Sequence, residues 1–129
     1  GIGTGAAVRA AVVAGADLCY MGTRFIAAVE SIASEEYKRM VIEACYEDLI
    51  LTDKVTGAKA YYLRQSLEKM GLDPQNIDSD KGINLSDSQN QIRAWKDVWS
   101  AGHGVGAVKT REPLATIISQ LHYEYRLAC

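Results

Sequence analysis

The sequence predicts an α/β fold, the C-terminal part of a (β/α)8 TIM barrel that is helix-rich in the stretch present. Three observations carry that expectation. Two glycine-containing turns, Gly1-Ile2-Gly3-Thr4-Gly5 and Met21-Gly22-Thr23-Arg24-Phe25, stand about twenty residues apart, the spacing at which the last βα units of a barrel hold a phosphate. Between them a helix, a glycine and a short apolar run follow in the order of a βα repeat. Finally, a full barrel takes ~250 residues, whereas this chain has 129 and opens in the middle of the first turn without an initiator Met. The expectation is therefore one domain over residues 1–129 that is a fragment, a processed chain or an incomplete record of a longer protein.

Taken in order, Thr4 can cap a helix through Ala14, with Val8, Ala11 and Val12 on one face and Gly15 as its stop. Residues 17–21 are short and mostly apolar and read as the one convincing strand, buried on both faces and needing neighbours on either side. Gly22 then turns the chain into a short helical stretch over residues 24–29. A second helix begins after Ser34: Glu35 and Glu36 suit the positive end of its dipole, and Tyr37, Met40, Val41, Ala44 and Cys45 mark its buried stripe. Residues 49–52 are strand-like, and Thr56-Gly57 makes a turn. Residues 58–63 read either as the second arm of a hairpin or as the lead-in to a helix over 63–70.

Asp, Ser, Asn, Gly and Pro dominate residues 71–91, which read as a loop or insertion. Residues 94–99 read as helical until Ala101-Gly102-His103-Gly104-Val105-Gly106 breaks the run. Thr110 and Pro113 open an amphipathic last helix, whose Leu114, Ile117, Ile118, Leu121 and Tyr125 recur at helical spacing.

Composition narrows the function classes. Apolar content of 48% and charge of 23% are ordinary for a globular protein. A net charge of −2 gives no electrostatic case for nucleic acid or an anionic membrane. Cys19, Cys45 and Cys129 have no CxxC spacing and suit reduced thiols in a cytoplasmic protein. The longest apolar run, residues 10–14, is too short to span a bilayer, and the start lacks the pattern of a signal peptide. No His, Cys, Asp or Glu cluster has metal-ligand spacing.

The first turn departs from the dinucleotide pattern G-x-G-x-x-G because Ala6 takes the last place. It reads either as a tight turn capped by Thr4 or as a place where backbone approaches an anion closely. In the second turn Gly22 has no Cβ to hold a phosphate away, and Thr23 adds a hydroxyl to its N–H. No Lys stands in the Walker arrangement, which argues against nucleoside triphosphate hydrolysis and for a phosphate that is held rather than transferred. Arg24 either aids that anion or makes a structural ion pair, the second being favoured. His103, with glycine on both sides, either presents an imidazole to a pocket or sits on a surface loop. His122 and Asp17 read as surface or structural residues, and Tyr61-Tyr62 as a helix-packing pair.

Together, Gly1-Ile2, the small-residue helix, Ala14-Gly15-Ala16-Asp17 and Met21-Gly22-Thr23-Arg24-Phe25 resemble the C-terminal barrel units of nitronate monooxygenases, formerly 2-nitropropane dioxygenases. The segments Glu36-Tyr37-Lys38, Thr52, Thr56-Gly57, Leu63-Arg64 and the glycine-rich run after Trp99 are similar as well. The resemblance implies an FMN-dependent enzyme that oxidises alkyl nitronates, its small-molecule substrates, with molecular oxygen. It further implies that the FMN phosphate rests on Gly1 and on Tyr20, Met21, Gly22 and Thr23. His103 stands where the family usually has Gln, which alters a contact near the flavin or substrate. The family's catalytic His lies upstream of these segments, so the catalytic residue is not assigned here and the isolated chain is expected to be inactive. Alternatives are a flavin-dependent enoyl-acyl-carrier-protein reductase, a truncated non-catalytic paralogue, and a module for another phosphate such as a sugar phosphate. An incomplete barrel would expose an apolar sheet edge, so self-association as a homo-oligomer or aggregate is a further expectation.

Overall fold

The computed structural model describes residues 1–77 and 98–128. They belong to two units, Gly1–Ala44 with His103–Cys129, and Cys45–Gly102.

In the first unit the helices start where short polar side chains can take up their leading N–H groups. Thr4, in extended conformation, accepts from the Ala7 N–H through Oγ1 at 3.2 Å and opens α1, Gly5–Val13. Gly15, at φ +101°, ends it. The next helix, α2, is only Thr23–Ile26, beginning with the Phe25 N–H on the Gly22 carbonyl at 2.9 Å. It stops short of the expected residue 29 because the Val29 N–H is drawn to the Glu112 carbonyl at 2.9 Å. Ser34 caps α3, Glu35–Glu43, accepting from the Tyr37 N–H at 3.2 Å. Its Met40 and Val41, with Ala44 just beyond, are buried. Lys38 is buried too, its ammonium on the Val29 carbonyl at 3.4 Å.

The last helix of this unit begins after Pro113 at Leu114 and ends at Leu127. Its first N–H goes to both carboxylate oxygens of Glu30, at 2.9 and 3.1 Å, a negative charge where the helix dipole favours one. This last helix packs against α1. At the crossing a Cβ on Gly5 would overlap the Leu121 carbonyl oxygen and lie 2.6 Å from the Tyr125 nitrogen. Backbone therefore meets backbone there, and Arg9 of α1 lies over the Tyr125 ring at 5.1 Å. Of the stripe read from sequence only Ile117 is fully buried; Leu121 and Tyr125 are half-buried, and Leu114 and Ile118 are exposed.

The second unit is built on a hairpin. Strand β1, Leu49–Thr52, pairs antiparallel with β2, Ala60–Leu63, in the register Leu49 to Leu63 and Thr52 to Ala60. Gly57, at φ +80°, makes the turn between them. Ser100 bridges to Tyr62, and the Leu63 N–H donates to the Trp99 carbonyl at 2.9 Å. Helix α4, Arg64–Lys69, follows β2 directly, so the last helix, Leu114–Leu127, is α5. Val55, Tyr62, Leu67, Leu72, Ile77 and Val98 form the core of this unit.

Three sequence expectations change. Residues 17–21 form no strand: no ladder partner exists for them among the described residues, and Leu18 and Tyr20 are 90% and 97% exposed. A strand exists by its pairing, and the hairpin has its partner a turn away while residues 17–21 have none nearby. Residues 98–100 lie along β2 instead of ending a helix, while 94–97 fall outside the described residues. Tyr61 and Tyr62 lie on a strand, with Tyr62 in the core and its hydroxyl 3.2 Å from Thr56 Oγ1. The result is an α/β chain whose described sheet is two-stranded and antiparallel. Of the expected loop at 71–91, only 71–77 is described, and it consists of turns and irregular chain.

Candidate functional site

Three glycine-bearing segments far apart in sequence share the first unit. Residues 103–107 form a 3-10 turn that packs on α2. Against the same turn lie the first residues of the chain. A Cβ on Gly1 would come within 2.8 Å of His103 Cβ, and one on Gly3 within 2.8 Å of Ala107 Cβ and 2.9 Å of the Gly104 carbonyl. On the other side, a Cβ on Gly104 would stand 3.2 Å from the Ile2 carbonyl. Val105 and Val108 are buried beside this junction. The glycines of the first turn are thus explained by the close approach of chain to chain.

Gly22 is different. Its φ of −115° is open to any residue, and a Cβ built on it meets nothing within 4 Å. Neither conformation nor packing within the described residues calls for glycine there. Around it the surface is open: Tyr20 and Gly22 are exposed, Met21 and Thr23 half-exposed.

The heads of the two helices differ as well. Sequence reading leaves the N–H groups at residues 1–5 free for an anion. In the structure the Gly5 N–H already donates to Glu124 Oε2 at 2.7 Å and the Ala7 N–H to Thr4. The anion at the head of α1 is therefore the protein's own carboxylate. At Gly5, chain packing and Glu124 together take up the space and the N–H.

Arg24 is buried, and its Nη2 donates to Glu112 Oε2 and Gln120 Oε1, each at 3.0 Å. The structural ion pair is the arrangement found. Its Nη1 is the one buried side-chain nitrogen or oxygen without a hydrogen-bond partner among the described residues. His103 is exposed on the 3-10 turn, its stem against Gly1, and His122 is exposed on α5. The outer face of α5 also bears an open cavity of about 480 Å³ lined by Ser119, His122, Tyr123, Arg126 and Leu127, none of them a residue of the three segments.

The groups with displaced proton affinities lie in the second unit. The Cys45 thiol is held above its ordinary range by its hydrogen bond to the Asp48 carboxylate, and the Cys45 N–H and thiol hold Asp48 below the usual carboxylate range. A raised thiol is a weak nucleophile. No cluster able to hold a metal ion occurs among the described residues, and no helix among them is long and apolar enough to cross a membrane.

Glu30, Glu112, Gln120 and Glu124 were not legible as site neighbours from sequence. Only the four-residue spacing of Gln120 and Glu124 on one helix signals that they can touch.

In the first unit two glycine turns meet a third segment, and a Cβ built on Gly22 or on Gly106 would meet nothing within 4 Å. A family model described as nitronate monooxygenase matches residues 1–121. The chain belongs to the nitronate monooxygenase family. It is 25% identical over 135 residues to a nitronate monooxygenase from Paraburkholderia phytofirmans, covering 98% of this chain and 36% of that one. Among solved structures it is similar to FabK from Thermotoga maritima, with a TM-score of 0.68 and 22% identity over 98% of this chain and 42% of the other. It is also similar to nitroalkane oxidase from Streptomyces ansochromogenes, with a TM-score of 0.64 and 25% identity over 99% of this chain and 38% of the other. These neighbours are TIM-barrel proteins. The chain thus spans little more than a third of the curated relative it matches.

Proposed function

We propose that this chain supplies the phosphate-holding portion of an FMN-dependent oxidoreductase that oxidises alkyl nitronates with molecular oxygen. Family membership supports the reaction class, and the names of two relatives point to nitronates and nitroalkanes. The observation that carries the site is Gly22, a glycine that neither conformation nor packing explains. A phosphate approaching the Tyr20–Thr23 backbone accounts for it.

The residues fit such a group. Open space at Gly22 leaves the backbone accessible, Thr23 offers an N–H and a hydroxyl, and the buried guanidinium of Arg24 follows in sequence, its Nη1 unpartnered among the described residues. Tyr20, Met21, Gly22 and Thr23 hold the phosphate from one side and Gly1 from the other. Bound FMN would supply the ring that accepts electrons from the nitronate. The protein's part at this end is to bind and orient the phosphate, while His103, fixed by its stem against Gly1, contacts flavin or substrate. In the parent protein these elements are the C-terminal part of a cytoplasmic (β/α)8 barrel.

The chain alone offers one end of a cofactor site, so we expect it neither to retain FMN through gel filtration nor to consume oxygen with nitronate. Stoichiometric yellow flavin on the purified 129-residue chain would overturn that expectation. In a flavin-binding protein of full family length, oxygen uptake with alkyl nitronate is the expected activity. Oxidation of NAD(P)H with an enoyl thioester instead would assign an enoyl reductase.

A further inference from the structure

A continuous chain of hydrogen bonds runs from one turn to the other. The Gly5 N–H donates to Glu124 Oε2 at 2.7 Å; Gln120 Nε2 donates to Glu124 Oε1 at 3.0 Å; Arg24 Nη2 donates to Gln120 Oε1 at 3.0 Å. Arg24 is in addition anchored to Glu112 at 3.0 Å. Gly5 is the last residue of the first glycine turn and Arg24 follows Thr23 in the second.

We infer that Gln120 is a positioning residue that sets the separation of the two turns, an assignment that rests on their sharing one phosphate as proposed above. Its neighbours dictate its chemistry. Facing a guanidinium on one side and a carboxylate on the other, residue 120 must accept from the first and donate to the second, which a carboxamide does with one oxygen and one NH2. The same neighbours fix the amide orientation, since the flipped group would turn NH2 toward Arg24 and oxygen toward Glu124. A Glu there would accept from Arg24 but repel Glu124; a Lys would do the reverse. Gln120 and Glu124 are one helical turn apart on α5, a rise of about 6 Å, so this rigid spacer separates the points at which the two turns are gripped. A phosphate held by both turns gains only if that spacing is present before it arrives.

Because Gln120 is exposed, its replacement leaves the core intact and tests the brace without unfolding the chain. In the 129-residue chain, Gln120→Met should speed amide hydrogen exchange at both Gly5 and Phe25, by about threefold or more, and leave Val41 in α3 unmoved. Gln120→Glu should speed exchange at Gly5 more than at Phe25, because it retains the Arg24 contact. Exchange unchanged at both amides, or raised equally at Val41, would overturn the assignment. In the longer flavin-binding protein, Gln120→Met should weaken FMN binding several-fold while kcat at saturating FMN stays the same. Coupled exchange in the 129-residue chain, together with a longer family-length protein that has no affinity for FMN even as wild type, would leave the brace standing and defeat the phosphate reading instead.

Discussion

The two glycine turns look alike in sequence and differ in the folded chain. The first is closed: His103, Gly104, Ala107 and the α5 backbone stand where its side chains would be, and Glu124 holds its last N–H. The second is open, with space at Gly22 and an exposed approach through Tyr20. A glycine is informative about a ligand only once the chain's own need for it has been subtracted. By that criterion Gly22 and Gly106 point outward, and Gly1, Gly3 and Gly5 point inward.

The sharpest way to break this contrast is substitution at the two ends. Gly5→Ala places a Cβ on the Leu121 carbonyl and should cost about 3 kcal/mol, the upper part of the range for overpacking. Gly22→Ala should change stability by no more than about 0.5 kcal/mol, as at an open surface position. Urea melts of the two variants check both, and equal losses would erase the distinction. Arg24→Met removes the charged partner of Glu112 and should cost about 2 kcal/mol, in the range for hydrogen bonds to charged groups. An unchanged melt would mean that Arg24 does not tie α2 to α5.

Local signals were legible and distant ones were not. Thr4 could be recognised as a cap, and a helix start placed after Ser34, because the N–H each one meets lies three residues on. The hairpin was one of two readings the residues after Thr56-Gly57 left open, and its register is what decides between them. Residues 17–21 misled because an apolar run gives a strand's composition without giving it neighbours. The contacts that close the first turn come from residues 104, 107, 121 and 124, about a hundred positions away. No spacing rule reaches that far. In the second turn, by contrast, no distant residue among those described approaches Gly22.

A smaller effect concerns the second unit, where the Cys45 N–H and thiol stabilise ionised Asp48. Its folded-state proton affinity is lowered, so the contribution is present above the unfolded carboxylate value of about 3.9. It is lost as pH falls through the lower folded value. Asp48→Asn should therefore flatten the acid limb of the thermal midpoint below about pH 4 and leave Gly22 and its surroundings unaffected. An identical acid limb in both proteins would remove Asp48 from the account.

The central claim is that the open turn at Gly22 holds the phosphate of FMN. It is tested most directly by titrating the full-length flavin-binding protein and its Gly22→Val variant with FMN and with riboflavin, which lacks the phosphate. FMN affinity should fall by about tenfold, or ~1.4 kcal/mol, while riboflavin affinity stays where it was. Equal losses for the two flavins, or no loss for FMN, would contradict it.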